Sequence, residues 1–436
     1  MSHQERTLIV GGGASGVITA IALARAGLNP ATIDIAEPRE LLGEGLAYQT
    51  RDPLHRLNVP TGRMSAIEEL PNDFAEWSAA PAYSFMERRT YSTYLRERLG
   101  KGVTHIRESV INLEPKSDDA IQATFAAGTQ KIYTSVVLAM GHGAARLPDF
   151  LKGVPDTPRI IKDVWDGRDL PKSHALLCFG TGLTFIDIAM THLSRDPHYR
   201  VIAISGSGNL PERHVQSPII PLTPTVEDVS TLSKLREYLS SAGENWREAV
   251  DGLRPITEAM WRGFTTVERE EFLRTEGSAW SRRRHRIAPD IAEHVDAEIA
   301  SGRITIVKGR VTRIDFTETE VMVDLEDGNS YTGDDLAICI GREYQLSDPL
   351  STSLIQEGLT STGPLKMGLS VDVTAGNLLK VDGSCYPQIY AIGPLRSGEA
   401  FESTAIPEIR KQSSVIARQI VECNASTDFL CMGEDL

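Results

Sequence analysis

The chain has 436 residues, enough for two or three domains, and its 41% hydrophobic and 24% charged residues are typical of an ordinary globular protein. A formal net charge of −14 argues against nucleic acid or an anionic membrane as the main partner. No apolar run reaches about 18 residues, and no apolar signal-like segment follows Met1. We therefore expect a cytoplasmic protein that does not enter a membrane.

The chain opens with a nucleotide-binding pattern. The apolar strand Thr7–Val10 runs directly into GGGASG, which fits the GxGxxG loop, and then into a helical pattern. In such a loop the first glycine permits a tight turn, the second lets backbone N–H groups approach a pyrophosphate, and the third permits close helix–strand packing. An acid about 20 positions later accepts hydrogen bonds from a ribose. The residues expected to contact a dinucleotide are Gly11, Gly13, Ser15, Gly16 and Glu37.

A second pattern begins at the buried strand His174–Phe179, which precedes GTGLTF and a helical segment. Phe185 replaces the third glycine, so helix and strand must pack less closely here. The next strand, Val201–Ser205, is followed by Gly206-Ser207-Gly208 and not by an acid. Because a carboxylate there would repel a 2′-phosphate, we predict NADPH, with NADH left open. Candidate contacts are Gly180, Gly182, Leu183, Thr184, Asp187 and, for the phosphate, Arg213.

A helical excursion interrupts this second domain over residues 216–286 and opens with a proline-rich stretch at 218–224. It ends in the densest basic run of the protein, Arg282 to Arg286. This run is either a solvated, salt-bridged helix face or an anion site for a cofactor phosphate or a substrate carboxylate. In the second case the substrate-binding residues are Arg283, His285 and Arg286.

The cysteines predict no redox or metal chemistry. Cys178 and Cys339 lie in apolar strand-like runs, where burial is expected. Cys385, Cys423 and Cys431 form no CxxC pair. We therefore expect neither a redox-active disulfide nor a metal site.

Further segments carry a resemblance to a known family. They are Gly43–Tyr48 (GEGLAY), Leu57–Pro60 (LNVP), Met64–Ala66 (MSA), Gly180–Asp187 (GTGLTFID), Arg283–Pro289 (RRHRIAP), Ile392–Gly398 and Glu402–Arg410. From about Leu8 to Ala417 the chain resembles the FAD/NAD(P)-binding family of flavoproteins with two dinucleotide-binding domains. That family is similar to flavin-dependent N-hydroxylating monooxygenases, including members that N-oxidise amino acids such as aspartate.

The resemblance implies an α/β fold with two Rossmann-like dinucleotide-binding domains, one for FAD and one for NAD(P)H, and the helical excursion in the second. The FAD domain would be discontinuous, with residues 1–165 and 333–436. Residues 170–332 would form the NAD(P)H domain. Strands that end in Gly141 and Gly341 would carry the chain between the two domains.

The resemblance also adds site residues. Further contacts to FAD would be Gly45, Tyr48, Asn58, Met64, Gly141, Gly341, Gly393, Pro394 and Thr404. The catalytic candidates are Asn58, Arg63 and Ser65, which the resemblance places near the flavin ring. Asn58 has a structural alternative, an Asx-turn before Pro60.

These features favour an FAD-dependent oxidoreductase, an NADPH- and O₂-dependent monooxygenase acting on a nitrogen or other soft heteroatom of a small anionic substrate such as an amino acid. The flavin would supply the difficult chemistry, which fits the lack of a conspicuous catalytic dyad. Two alternatives stay open: an NAD(P)H-dependent reductase with a quinone or protein acceptor, and an FAD-binding redox sensor. A homo-oligomer also stays open.

Overall fold

The computed structural model describes residues 5–117, 119–167, 169–216 and 218–431, with side chains described up to Asn424. The predicted polar tail after Asn424, with Cys431, lies outside the described side chains. The strands are β1 (Thr7–Val10), β2 (Ile33–Ala36), β3 (Thr104–Ile106), β4 (Val110–Ser117), β5 (Ala120–Phe125), β6 (Gln130–Tyr133), β7 (Ser135–Leu138), β8 (Ile160–Ile161), β9 (Ala175–Phe179), β10 (Arg200–Ser205), β11 (Ile304–Lys308), β12 (Val311–Phe316), β13 (Val321–Leu325), β14 (Ser330–Gly333), β15 (Asp335–Ile338), β16 (Asn377–Leu379) and β17 (Cys385–Ala391).

Helices alternate with these strands in both halves of the chain. They are α1 (Ala14–Arg25), α2 (Asp73–Trp77), α3 (Arg88–Leu99), α4 (Leu183–Leu193), α5 (Leu232–Ser241), α6 (Trp246–Leu253), α7 (Thr257–Gly263), α8 (Thr266–Thr275), α9 (Gly277–Arg284), α10 (Pro289–Ala300), α11 (Pro349–Gln356), α12 (Ser397–Ala400) and α13 (Ile406–Cys431). Within the described part of the chain, no helix combines the length and the apolar character that a membrane crossing requires.

The first unit is built on a six-stranded sheet with the order β16-β17-β7-β1-β2-β3. Its central strands are parallel, and every residue of β1, β2 and β7 is buried. Such continuous apolar strands are typical of parallel sheets that are covered on both faces. Helices α1 and α13 share one hydrophobic core with these strands, while β4–β6 and α11 contribute to the core on the other side.

The second unit is built on a five-stranded parallel sheet with the order β11-β10-β9-β15-β8. Strands β8 and β15 belong to this sheet, so the chain has left the first sheet before Ile160 and returns to it after Ile338. These crossings lie a few residues from the predicted limits at 165 and 333. The domain limits themselves stay a prediction.

The helical excursion contains α5 to α9 and has its own core around Trp261, Phe272 and Trp280. Phe401, from the C-terminal segment of the first unit, stacks on Trp261 with ring centroids 4.5 Å apart. The Trp261 indole also donates a hydrogen bond to the Gly398 carbonyl at 2.9 Å. Residues of the first unit therefore pack against the core of the helical excursion.

Candidate functional site: two glycine loops on one cavity

The first glycine loop connects β1 to α1. Gly11 has a φ of 104°, and its amide donates a hydrogen bond to the Ala36 carbonyl at 2.8 Å. A Cβ on Gly11 would lie 2.4 Å from the Ala139 carbonyl oxygen. The chain at the end of β1 therefore packs closely between β2 and the residues that follow β7. It turns there with a backbone conformation that only glycine adopts without strain.

The other two glycines of this loop have different surroundings. A Cβ on Gly16 would lie 1.9 Å from the Gly11 carbonyl oxygen, so helix α1 can approach the loop only with glycine there. A Cβ on Gly13 would meet nothing nearer than the Gly45 Cα, at 3.5 Å. Gly13 also caps α1 without a side-chain hydrogen bond. The first-turn amides of α1 thus remain available to an anion, as in pyrophosphate sites.

Glu37 stands at the end of β2 with its carboxylate held in place. The carboxylate accepts hydrogen bonds from the backbone amides of Gly12 and Arg39, each at 3.0 Å. Two carboxylate oxygens offer more acceptor capacity than these bonds use. Glu37 can therefore also accept a bond from a ribose hydroxyl, as the sequence pattern requires.

The second glycine loop repeats this backbone arrangement. Gly180 has a φ of 109°, donates to the Ile204 carbonyl at 2.8 Å, and would place a Cβ 2.5 Å from the Cys339 carbonyl oxygen. Gly182 begins α4, again without a side-chain cap, and a Cβ there would meet nothing within 4 Å. The loop differs at Phe185, which is fully buried in the core where the first loop has its third glycine.

The strand register identifies the residue that corresponds to Glu37. Val10 pairs with Ala36 in the first unit, and Phe179 pairs with Ile204 in the second, so Ser205 takes the place of Glu37. The Ser205 hydroxyl forms hydrogen bonds with the Thr181 hydroxyl at 3.0 Å and the Gly208 amide at 3.1 Å. The second unit thus has an uncharged hydroxyl at the position where the first has a carboxylate.

The first loop and the start of α4 border one cavity of about 780 Å³, but Gly180 and Gly182 of the second loop are not among its described lining residues. This volume falls in the usual range for small-molecule and cofactor sites. Predicted site residues from both units line it: Gly11, Gly13, Ser15, Glu37, Gly45, Tyr48, Gly141, Leu183, Thr184, Asp187, Gly341, Pro394 and Thr404.

Comparison with known proteins agrees with this geometry. Residues 8–143 match the model of a family described as FAD-NAD(P)-binding. The first unit contains an FAD/NAD(P)-binding domain. A search of curated proteins found no match.

Solved structures with the same fold span nearly the whole chain. Ornithine hydroxylase PvdA from Pseudomonas aeruginosa has 15% identity and a TM-score of 0.63, with 96% of this chain and 99% of that chain covered. Ornithine N-hydroxylase KtzI from Kutzneria sp. 744 has 15% identity and a TM-score of 0.63, covering 97% and 100%. The bacillithiol disulfide reductase Bdr from Staphylococcus aureus has 13% identity and a TM-score of 0.58, covering 96% and 98%. These similarities confirm the predicted α/β fold with Rossmann-like units.

The FAD/NAD(P)-binding domain has the features that a bound dinucleotide requires. Gly13 leaves space for a pyrophosphate beside uncapped helix amides, and Glu37 provides a ribose acceptor. The C-terminal segment closes the same site, because a Cβ on Gly393 would lie 2.9 Å from the Ser15 hydroxyl. These residues fit FAD, while the role of the Gly180 loop in binding the pyrophosphate of NADPH stays a prediction.

None of the three catalytic candidates is among the described residues that line the cavity. The Asn58 carbonyl bonds the His214 ring at 2.9 Å, while Met64 is buried. The fully buried Ser65 hydroxyl donates to the Leu70 carbonyl at 2.6 Å, which gives it a structural partner. Arg63 ends a short 3₁₀ turn. The catalytic roles of Asn58, Arg63 and Ser65 stay predictions.

The charged candidates of the second unit already have partners. Arg213 forms an exposed ion pair with Asp296. The Arg286 guanidinium forms two hydrogen bonds with Asp251, at 3.0 and 3.2 Å. The Arg283 guanidinium lies 5.8 Å from the centre of the Trp246 ring. Burial lowers the pKa of His285, so this ring is neutral at pH 7.

One polar contact in the cavity wall was missed by the sequence analysis. Arg88 on α3 forms an ion pair with Asp187 on α4 at 2.7 Å, and both residues line the cavity. Burial raises the pKa of Asp187, and the Arg88 charge opposes that shift. Arg88 precedes Asp187 by about a hundred positions and belongs to no motif, so only the tertiary structure reveals this link between the units.

His142 is a second lining residue that no pattern indicated. Burial first, then the charge of Arg342, lowers its pKa to about 4. The ring is therefore neutral at pH 7. It can donate one hydrogen bond and accept one in the cavity.

Proposed function

We propose that this protein is an FAD-dependent monooxygenase that uses NADPH and O₂ to oxygenate a nitrogen or other soft heteroatom of a small amine-bearing substrate, such as an amino acid. The observation that carries the proposal is one cavity bordered both by the first glycine loop and by Leu183, Thr184 and Asp187, which follow the second loop. One loop provides a place for FAD and the other for NADPH, so the two can react without leaving the protein.

The similar structures support this reaction class, since two of them are ornithine hydroxylases that match over nearly the full chain. The disulfide reductase Bdr shares the fold, so the fold alone does not select the reaction. No cysteine is among the described residues that line the cavity, and Cys178 and Cys339 are buried in the core of the second unit. This arrangement favours oxygen over a disulfide as the electron acceptor.

In this mechanism the chain binds, orients and excludes water. Bound FAD would supply the redox chemistry, accepting a hydride equivalent from NADPH and delivering electrons to O₂. Gly13 and the α1 amides would hold its pyrophosphate and Glu37 its ribose, and Thr404 lines the same cavity. Neutral His142 offers a hydrogen bond without adding a charge that would hold water in the site.

The test uses the full chain reconstituted with FAD. NADPH and O₂ consumption are measured with a panel of amines and amino acids, and products are analysed by mass spectrometry after turnover under ¹⁸O₂. We expect one labelled oxygen atom in the product of an active amine. Product without label, or peroxide alone across the panel, would replace this proposal by the reductase alternative. Failure of NADPH to reduce the flavin would leave the redox-sensor alternative.

A further inference from the structure

A partly buried charged cluster lies where the helical excursion meets the start of α13. It contains Arg254, Arg284 and Arg286 from the excursion, and Glu402 and Glu408 from the C-terminal segment. Glu408 stands between Ile406 and Ile409, both of which line the cavity. The cluster is therefore next to the predicted cofactor site and is not part of the cofactor loops.

Two of the arginines in this cluster are fully paired. Arg286 forms two hydrogen bonds with Asp251. Arg284 lies 3.0 Å from a Glu402 oxygen and 3.3 Å from Oε1 of Glu408. Each of these guanidinium groups has a carboxylate at hydrogen-bond distance, as buried charges require.

Arg254 does not have such a partner. Its nearest carboxylate is Asp251 at 3.8 Å, beyond hydrogen-bond distance, and Arg286 already uses both oxygens of that group. Its Nε is buried and has no hydrogen-bond partner among the described residues. Burial, then the neighbouring Arg284 charge, lowers the pKa of Arg254 to about 9. A buried donor left in this state costs stability unless a ligand satisfies it.

Glu408 has the complementary deficiency. Its Oε1 contacts Arg284, but its Oε2 is buried and has no hydrogen-bond partner among the described residues. Glu408 is also one of the charges that act on Arg254, so the two groups are electrostatic neighbours. The cluster thus combines one unsatisfied cationic donor with one unsatisfied anionic acceptor.

We propose that Arg254 and Glu408 form a subsite for a zwitterionic small molecule, with Arg254 binding its carboxylate and Glu408 its ammonium group. An α-amino acid has this chemistry. The proposal rests on the proposed function and deepens it, because it assigns the substrate class to two residues outside the predicted Arg283, His285 and Arg286.

The test measures binding to the oxidised, FAD-loaded enzyme without NADPH, by calorimetry and by the change in flavin absorbance. The probes are L-2-aminobutyrate, butyrate, which lacks the ammonium group, and L-2-aminobutyramide, which lacks the carboxylate. Wild-type protein should bind aminobutyrate most tightly. Arg254→Gln should weaken aminobutyrate and butyrate about tenfold or more and leave the amide unchanged, since a charge-assisted bond contributes about 1.5–3 kcal/mol.

Glu408→Gln should show the opposite pattern, weakening aminobutyrate and the amide but not butyrate. Arg262→Gln, an exposed arginine on α7, is the matched control and should change none of the three. FAD content and the Kd of NADP⁺ should stay constant in all variants. Arg254→Lys, which keeps the charge, should lie between wild type and Arg254→Gln if the position folds normally.

The proposal is overturned if wild-type protein binds none of the probes or all three equally, or if Arg254→Gln weakens all three alike. It is also overturned if that variant weakens NADP⁺ instead, which would make the cluster a phosphate site. The outcome is separable from the oxygenation test. If the expected binding pattern appears and no amine takes up ¹⁸O, the monooxygenase proposal fails and the subsite stands.

Discussion

The two glycine loops have the same backbone and differ in the side chains around it. Gly11 and Gly180 share a φ near 105°, the same amide-to-carbonyl hydrogen bond and the same close approach to a neighbouring strand. The units diverge at Phe185, which replaces the third glycine, and at Ser205, which replaces Glu37. The first glycine therefore shapes the turn in either unit, and we expect the residue at the end of the next strand to select the nucleotide.

The largest effects are expected from filling the space that each dinucleotide needs. Gly13 and Gly182 both have extended backbone, with φ of −71° and −78°, and a Cβ at either position causes no close contact. Gly13→Val should therefore fold but purify without FAD. Gly182→Val should keep FAD and slow flavin reduction by NADPH about 100-fold or more, a loss of roughly 2.7 kcal/mol. Flavin content and stopped-flow reduction measure the two effects, and loss of FAD from Gly182→Val would contradict the separation of roles.

The shared turn should show an equal stability cost in both units. Gly11→Ala and Gly180→Ala each combine a positive φ with a clash against a carbonyl oxygen, and each should lower the free energy of unfolding by roughly 2 kcal/mol or more. Gly27→Ala is the control, since its φ of 107° brings strain without any contact within 4 Å. Urea unfolding should rank Gly27→Ala as the mildest. Equal losses for all three would leave strain, and not the strand contact, as the cause.

The nucleotide preference should follow the residue at the end of β10. Ser205→Asp restores the acid that the first unit has in Glu37, and a carboxylate there repels a 2′-phosphate. We expect the ratio of NADPH to NADH affinity to fall about tenfold, about 1.4 kcal/mol. Calorimetry with NADP⁺ and NAD⁺ measures this ratio independently of turnover.

Arg213→Ala provides the comparison for that experiment. We expect Arg213→Ala to weaken the binding of NADPH more than that of NADH, because Arg213 would contact the 2′-phosphate. In the structure Arg213 is about half exposed and paired with Asp296. Equal losses of affinity for both nucleotides after the substitution would assign Arg213 to that surface pair and leave selection to Ser205.

Lowering the pH should destabilise the second unit, with a smaller effect than the substitutions above. Burial lowers the pKa of His192 on α4 and of His214 to about 4, below the usual 6.5. Both rings are neutral above pH 6.5 in the folded and unfolded chain. Between pH 6.5 and 4 each histidine binds a proton in the unfolded chain but not in the folded one, so stability falls as pH falls. The equilibrium constant for folding falls by at most about tenfold per histidine and pH unit.

His192→Phe tests this sensitivity, because His192 stacks on Tyr199 and both ring nitrogens lack partners among the described residues. Urea midpoints measured from pH 7 to 5 should fall less steeply in this variant than in wild type. An unchanged slope would show that His192 is not a source of the acid sensitivity.

The sequence predicted the elements whose signal is local. Both glycine loops and their flanking strands and helices lie within a few residues of their expected positions, and helices α5 to α9 fall inside the predicted excursion. These features depend on short-range spacing of glycine and apolar residues, which single-sequence reasoning can use. Sheet membership of Ile160–Ile161 and Asp335–Ile338 was less accessible, since it depends on pairing with distant strands.

The candidate site was predictable on its cofactor side only. Glycines mark where backbone approaches a ligand, so most of the predicted cofactor contacts line the cavity. Charged residues have no comparable signal in the sequence that separates ligand-binding positions from ion pairs. The basic run at 282–286 attracted attention through composition, whereas Arg254, a partly buried arginine without a close carboxylate, stands in a helical segment that has no motif. Only the positions of Asp251, Arg284 and Glu408 reveal which arginine lacks a partner.

The order of strands in the first sheet has a consequence for synthesis on the ribosome. Strand β7 pairs with β17, so one edge of Ser135–Leu138 stays unpaired until Ile389–Ala391 has been synthesised. At about 5–20 residues per second, this delay lasts roughly ten to fifty seconds. The five-stranded sheet, by contrast, is complete once Ile338 has emerged. The nascent chain therefore finishes its second unit before its first, and until then β7 presents an unpaired apolar edge of the kind that chaperones shield.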